Sequence, residues 1–217
     1  MTQELWSAVD AYVSGLLIPP DEALDSALAE SARAGLPSIA VSPLQGKLLS
    51  LYVRLMGAKR VLEIGTLGGY STIWMARGLT PGGRITSLEF DPKHAAVASS
   101  NFSKAGLEDV VDVRVGRAID TLPQLEGPYD FIFIDADKAS IPEYFEWAVR
   151  LSRAGSVIVV DNVIRDGAVV DARSGDANII GVRRFNDLVS RDARVSATEI
   201  QTVGAKGHDG FAFIVVR

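Results

Sequence analysis

The chain has 217 residues, a formal charge of −5 from 22 basic and 27 acidic side chains, and no cysteine. At that length one domain is expected, one able to bury about 70 % of the surface of the unfolded chain. Lys and Arg are scattered, which argues against a phosphate-tracking nucleic-acid surface and favours small-molecule partners. The opening MTQELWSAVD has neither the basic nor the apolar region of a secretory signal, and no run reaches the roughly 18 apolar residues of a membrane span. A cytoplasmic protein is therefore expected, with no membrane partner, and the missing cysteines agree with a reducing compartment.

The first 57 residues read as a helical cover. Leu5, Val9, Tyr12 and Val13 share a helical face, Asp21 precedes an Ala/Leu/Glu-rich run to about Arg33, and Pro43 opens a third run through Met56. From residue 58 to 217 the texture changes to short apolar runs alternating with amphipathic stretches. The predicted strands are Val61 to Ile64, Ile85 to Glu89, Val110 to Val115, Phe131 to Ile134 and Val157 to Val160. Helices are predicted from about Ser71, Pro92, Ala118 and Pro142, then from Ile180 to Ser190. This alternation predicts an α/β fold with a mostly parallel sheet covered on both faces. The last two runs, Val195 to Thr202 and Gly210 to Val216, are joined only by a polar loop from Val203 to Asp209, which makes that pair antiparallel.

Two of these strands end in oxygen ligands. FIFI runs into Asp135, Ala136, Asp137 and Lys138, and VIVV runs into Asp161 and Asn162. If the strands are parallel neighbours, their C-terminal ends bring Asp135, Asp161 and Asn162 together where open α/β sheets bind ligands. Carboxylate and amide oxygens suit a hard divalent cation such as Mg²⁺, Mn²⁺ or Ca²⁺, and the soft ligands of a zinc site are missing. For an isolated Asp or Asn the ordinary role is a helix cap or a turn, but two strand ends in this order weigh against it. Lys138 is by default a surface lysine; beside a dication it becomes competent as a base.

Between the first two strands, VLEIGTLGGYS places Gly65, Gly68 and Gly69 in a strand–turn–helix that lets backbone amides approach a ligand. It is not the dinucleotide fingerprint, because Leu67 and Tyr70 stand where its second and third glycines belong. Glu89, at the end of the second strand, can accept both hydroxyls of a ribose, or it can be a solvated strand end.

The ordered set VSPLQGKLL, VLEIGTLGGYS, SLEFD, GRAID, FIFIDADK, VIVVDNV and DGFAF resembles the class I S-adenosylmethionine-dependent methyltransferases over nearly the whole chain. Within them it is similar to the cation-dependent O-methyltransferases that include the caffeoyl-CoA and catechol enzymes. The resemblance implies a Rossmann-like seven-stranded sheet whose last strand is antiparallel. It implies S-adenosylmethionine as cofactor, with Glu63 and Gly65 against its methionine part, Ser71 on its carboxylate, Glu89 on the ribose and Ala118 at the adenine. Val41 would cover the cofactor from the other side or serve as a plain core valine, and Asp135 would border both cofactor and metal. Asp135, Asp161 and Asn162 match the metal ligands. Arg117 stands where the family carries an acidic residue, and Asp137 is left to orient Lys138, to face the adenine or to meet water.

The activity implied is methyl transfer to one hydroxyl of a vicinal dihydroxy-aromatic, phenolic small molecule, catechol-like and caffeoyl or flavonoid compounds among them, with Lys138 accepting the proton. A metal-independent methyltransferase and a non-catalytic S-adenosylmethionine-binding protein are the alternatives. Residues 164 to 181 would form a lid or wall over the acceptor, or a long surface loop. The N-terminal helices, with Trp6, Tyr12 and Leu16, would cover the pocket or join a partner chain, and the resemblance implies a homodimer.

Overall fold

The computed structural model describes residues 2 to 217. Three helices come first: α1 (Gln3–Leu17), α2 (Glu22–Arg33) and α3 (Pro43–Leu55). Asp21 caps α2 by accepting from the amides of Ala23 and Leu24, and Ser42 caps α3 with Pro43 at the first helical position. Then β1 (Arg60–Ile64), β2 (Arg84–Glu89), β3 (Val111–Val115), β4 (Tyr129–Ile134) and β5 (Ser152–Asp161) alternate with α4 (Tyr70–Ala76), α5 (Pro92–Lys104), the short α6 (Ala118–Thr121) and α7 (Ile141–Arg150). After α8 (Ala177–Arg191), β6 (Val195–Gly204) and β7 (Gly207–Val216) close the chain.

The strands form one seven-stranded sheet in the order β3-β2-β1-β4-β5-β7-β6. The first five are mutually parallel, while β7 runs antiparallel to both β5 and β6. The α/β class and the antiparallel end of the sheet are thus as expected. Alternation along each central strand feeds two apolar layers. Val61, Phe131, Phe133 and Val159 point to the face covered by α2 to α5, and Leu62, Ile64, Ile132 and Ile134 to the face under α7 and α8. Phe131 and Phe133 are wholly buried, each stabilising the fold by roughly 1.5–3 kcal/mol.

Several boundaries differ from expectation: α8 begins at Ala177 rather than Ile180 and β4 at Tyr129 rather than Phe131. β5 begins at Ser152 rather than Val157, because backbone pairing continues through the polar stretch before it across an irregularity opposite Tyr129 and Phe131. The predicted loop from Val203 to Asp209 shrinks to the two residues between β6 and β7, since an antiparallel ladder is satisfied by backbone groups whatever their side chains. The helix expected at Ala118 stops after one turn and passes into a 3-10 turn, Leu122–Gln124, that contains Pro123. Among the described residues no helix is long and apolar enough to cross a membrane.

Candidate active site

The turn after β1 opens the site. Gly65 has φ 100°, and a Cβ there would lie 2.0 Å from the Asp135 carbonyl oxygen, so only glycine lets the ends of β1 and β4 approach this closely. Leu67, a non-glycine with φ 50°, is held in the left-handed region at a cost of about 1–2 kcal/mol. Glu89 offsets that strain: its Oε2 accepts from the amides of Thr66 at 3.1 Å and Leu67 at 2.7 Å, and its Oε1 from Asp91 at 2.9 Å. It therefore fixes the turn while still bordering the cavity described below.

Glu63 lies behind this wall. It is fully buried and accepts hydroxyl hydrogen bonds from Ser71 and Ser87, both at 2.6 Å, and from Thr72. Burial pushes its pKa up to about 7 against the pull of those three hydroxyls, and the charge of Asp135 adds to the rise. Ser71 reaches the cavity; Glu63 does not border it and acts on it through Ser71. Ser71 sits one residue inside α4, whose N-cap position is Gly69 in the left-handed conformation.

At the other end of the site, Ile134 and Val160 are paired across β4 and β5, so Asp135 and Asp161 follow them at the adjacent strand ends. Lys138 donates to Asp135 Oδ1 at 2.7 Å and is itself buried. Its backbone is pressed by α8: a Cβ at Gly181 would lie 2.2 Å from the Lys138 carbonyl oxygen. Asp161 accepts from Gln45 Nε2 at 2.7 Å and from the Asn162 amide at 2.9 Å. Burial raises its pKa to about 7; the Asp135 charge raises it further, and Lys138, Gln45 and the Asn162 amide oppose. Asn162, at φ 60°, turns the chain at the end of β5.

Among the described residues no three His, Cys, Asp or Glu side chains gather as a metal site; this set has two carboxylates and the Asn162 amide. Its chemistry still fits a hard dication. All three donors are oxygens, and the Asp135 charge that helps hold up the pKa of the buried Asp161 is a local excess of negative charge that a cation would compensate.

Both ends open into one cavity of about 1110 Å³. Its walls include Val41, Gly65, Ser71, Glu89 and Ala118 on one side and Asp135, Lys138 and Asn162 on the other. Glu63 and Asp161 stand behind the lining. The cover comes from the end of α2 and the segment from Leu36 to Val41, whereas α1 contributes nothing, so Trp6, Tyr12 and Leu16 do not cover the pocket. Asp137 also lines the cavity, and Tyr144 donates to its Oδ1 at 2.5 Å. Gln45 was not foreseen as a site residue. It lies within the VSPLQGKLL stretch, yet its partner Asp161 is 116 residues away and only the fold joins them. The segment after β5 is no open loop: it holds a 3-10 turn, Ala168–Val170, and leads into α8 at Ala177, with Arg165 and Asn178 on the cavity wall.

Comparison with known proteins agrees with this geometry. A family model described as O-methyltransferase matches residues 20–212. A catechol O-methyltransferase of Niastella koreensis is 52 % identical over 221 residues, covering 100 % of both chains. One of Mycobacterium tuberculosis is 54 % identical over 210 residues, covering 96 % of this chain and 95 % of its own. The crystal structure of an O-methyltransferase from Bacillus cereus in complex with SAH superposes with a TM-score of 0.98 at 55 % identity, covering 100 % of each chain. The protein with the glycine turn, Glu89 and the paired strand ends belongs to the O-methyltransferase family.

Proposed function

We propose that this enzyme transfers a methyl group from S-adenosylmethionine to one hydroxyl of a vicinal dihydroxy-aromatic small molecule held by a divalent cation. One observation carries the reading: the glycine turn, Asp135 and Asn162 line a single cavity, with Asp161 at the adjacent strand end just behind them and Lys138 bonded to Asp135 on the wall. The names of the Niastella and Mycobacterium relatives point to catechols, and SAH in the Bacillus cereus structure is what S-adenosylmethionine becomes after giving up its methyl.

Ser71, Glu89, Ala118 and Val41 form the donor half of the cavity and would hold the cofactor, with Glu63 and Gly65 shaping the turn behind them. Asp135, Asp161 and Asn162 would hold Mg²⁺ or a similar cation, which supplies positive charge that favours the phenolate form of the acceptor. Gln45 keeps the Asp161 carboxylate aimed by occupying its Oδ2. Lys138 takes the proton as the O–H bond breaks, the oxygen bonds the methyl carbon, and the carbon–sulfur bond breaks. Holding both partners in line accounts for much of the rate, up to about 7–11 kcal/mol in well-oriented systems.

The test is methyl transfer to catechol with Mg²⁺ and with excess EDTA, for the wild-type chain and for Asp161→Ala. We expect the chelator to abolish turnover, Mg²⁺ to restore it, and the variant to bind SAH while losing metal-dependent activity. Full turnover in EDTA would favour the metal-independent alternative. The macromolecular partner we propose is a second copy of the chain, and the compartment the cytoplasm, on the cysteine-free composition.

A further inference from the structure

Beyond β5 the backbone is held in an unusual path. Arg165 (φ 56°), Asp166 (φ 54°) and Gly167 (φ 81°) are three successive left-handed residues, which costs about 1–2 kcal/mol for each of the first two. Asp209 clamps this path: its Oδ1 accepts from the amides of Ile164 and Arg165, both at 3.0 Å. The Asp166 amide adds a bond to the His208 carbonyl at 3.0 Å. Strain that the surroundings over-determine in this way concentrates at functional walls. Here it delivers Arg165 to the cavity, beside Asn162 and Asn178.

The Arg165 guanidinium is under-matched. Its one ion-pair partner among the described residues, Asp209 Oδ2, lies 3.8 Å from Nη1, beyond hydrogen-bond reach, and its Nε is buried without any partner. The other strong cations of the cavity wall differ: Lys138 is bonded to Asp135 at 2.7 Å, and Arg117 is mostly exposed beside Asp120. Position decides which ligand Arg165 meets. The sheet runs β3-β2-β1-β4-β5, so Ala118 and Glu89 lie on one side of the strand ends that carry Asp135 and Asp161, and Arg165 follows β5 on the opposite side. It faces the acceptor end rather than the adenosyl end.

We infer that Arg165 is a specificity residue of the acceptor subsite, and that the preferred acceptor is a dihydroxy-aromatic acid whose carboxylate this guanidinium binds. A planar fork of N–H donors matches a carboxylate in two parallel hydrogen bonds, and no hydrogen bond among the described residues already engages the terminal nitrogens of Arg165. The inference rests on the catechol-type reading above and deepens it.

The test compares 3,4-dihydroxybenzoate, catechol and dopamine as acceptors for wild-type, Arg165→Gln and Arg165→Lys chains. Calorimetric binding of each compound to the SAH-loaded protein in Mg²⁺ is a second readout. The wild-type chain should favour the acid over dopamine by about tenfold or more in kcat/KM. Arg165→Gln should remove about tenfold more from the acid than from catechol, chiefly through KM, and Arg165→Lys should recover part of that selectivity. Equal losses on all three acceptors, or an acid preference that survives in Arg165→Gln, overturns the inference. A chain that binds the acid through Arg165 but transfers no methyl to any acceptor overturns the methyl-transfer reading alone. Transfer to catechol without charge preference overturns the role of Arg165 alone.

Discussion

Lys138 is the side chain on which the proposed chemistry turns, because it is buried and bonded to a carboxylate at the strand end that would carry the metal. Replacing it by Ala removes the proposed proton acceptor without touching the glycine turn. We expect kcat to fall by about 10²–10⁴ with SAH binding retained in calorimetry; turnover within a few fold of wild type would sink the assignment. Glu63 makes a different prediction, about stability. Its folded pKa of about 7 lies above its ordinary value of 4.5, so between these pH values the folded state binds more protons than the unfolded one. Its contribution is then most favourable below pH 4.5 and declines as the pH rises toward 7, by an amount on the order of 3 kcal/mol at most. Glu63→Gln cannot ionise and should escape that decline. Urea unfolding at pH 5 and pH 8 should show the variant gaining on the wild type at the higher pH, and a constant difference between the two would refute the shift.

At the scale of elements, two close backbone approaches set the site. Gly181 lies inside α8, where Ala should help the helix by about 1 kcal/mol, yet its Cβ would collide with the Lys138 carbonyl. Gly181→Ala should therefore lower kcat while circular dichroism shows the helices intact; wild-type kcat would mean that α8 does not position Lys138. The same contacts explain what the sequence could and could not tell. The sheet was legible because the FIFI and VIVV parts of β4 and β5 are buried and read as unbroken apolar runs, while the polar start of β5 left no such trace. Asp135, Asp161, Asn162 and Lys138 were legible as ends of those runs. Gln45 and the Asp209 clamp were not, because each acts across 116 and 45 residues of chain and local spacing carries no trace of such pairs. The depth of Glu63 was not legible: the motif names it, but only the fold shows that its carboxylate accepts from Ser71, Thr72 and Ser87.

At the scale of the whole molecule, α1 is out of balance. It is a 15-residue helix with no buried residue, a length at which an isolated helix is marginal in water. Its hydrogen bonds to the rest lie at the β6–β7 turn: Gln3 donates to the Gly204 carbonyl and the Ala205 amide donates to Asp10. Leu5, Val9, Tyr12 and Leu16 recur at helical spacing on its surface, each more than half exposed. Leu51 and Leu55 on α3, which packs against α1, add to the exposed apolar surface. Monomers rarely leave patches of this kind to water. A second copy meeting the stripe around a two-fold axis would bury it with the same residues on both sides, as closed dimers do. Because α1 contributes nothing to the cavity wall, this association can be broken without altering the site directly. Sedimentation velocity at micromolar concentration should give a dimer for the wild-type chain and a monomer for Tyr12→Asp combined with Leu16→Asp. A wild-type monomer would show that the stripe faces water, and α1 would then have to draw its stability from its packing on α3 and the β6–β7 turn.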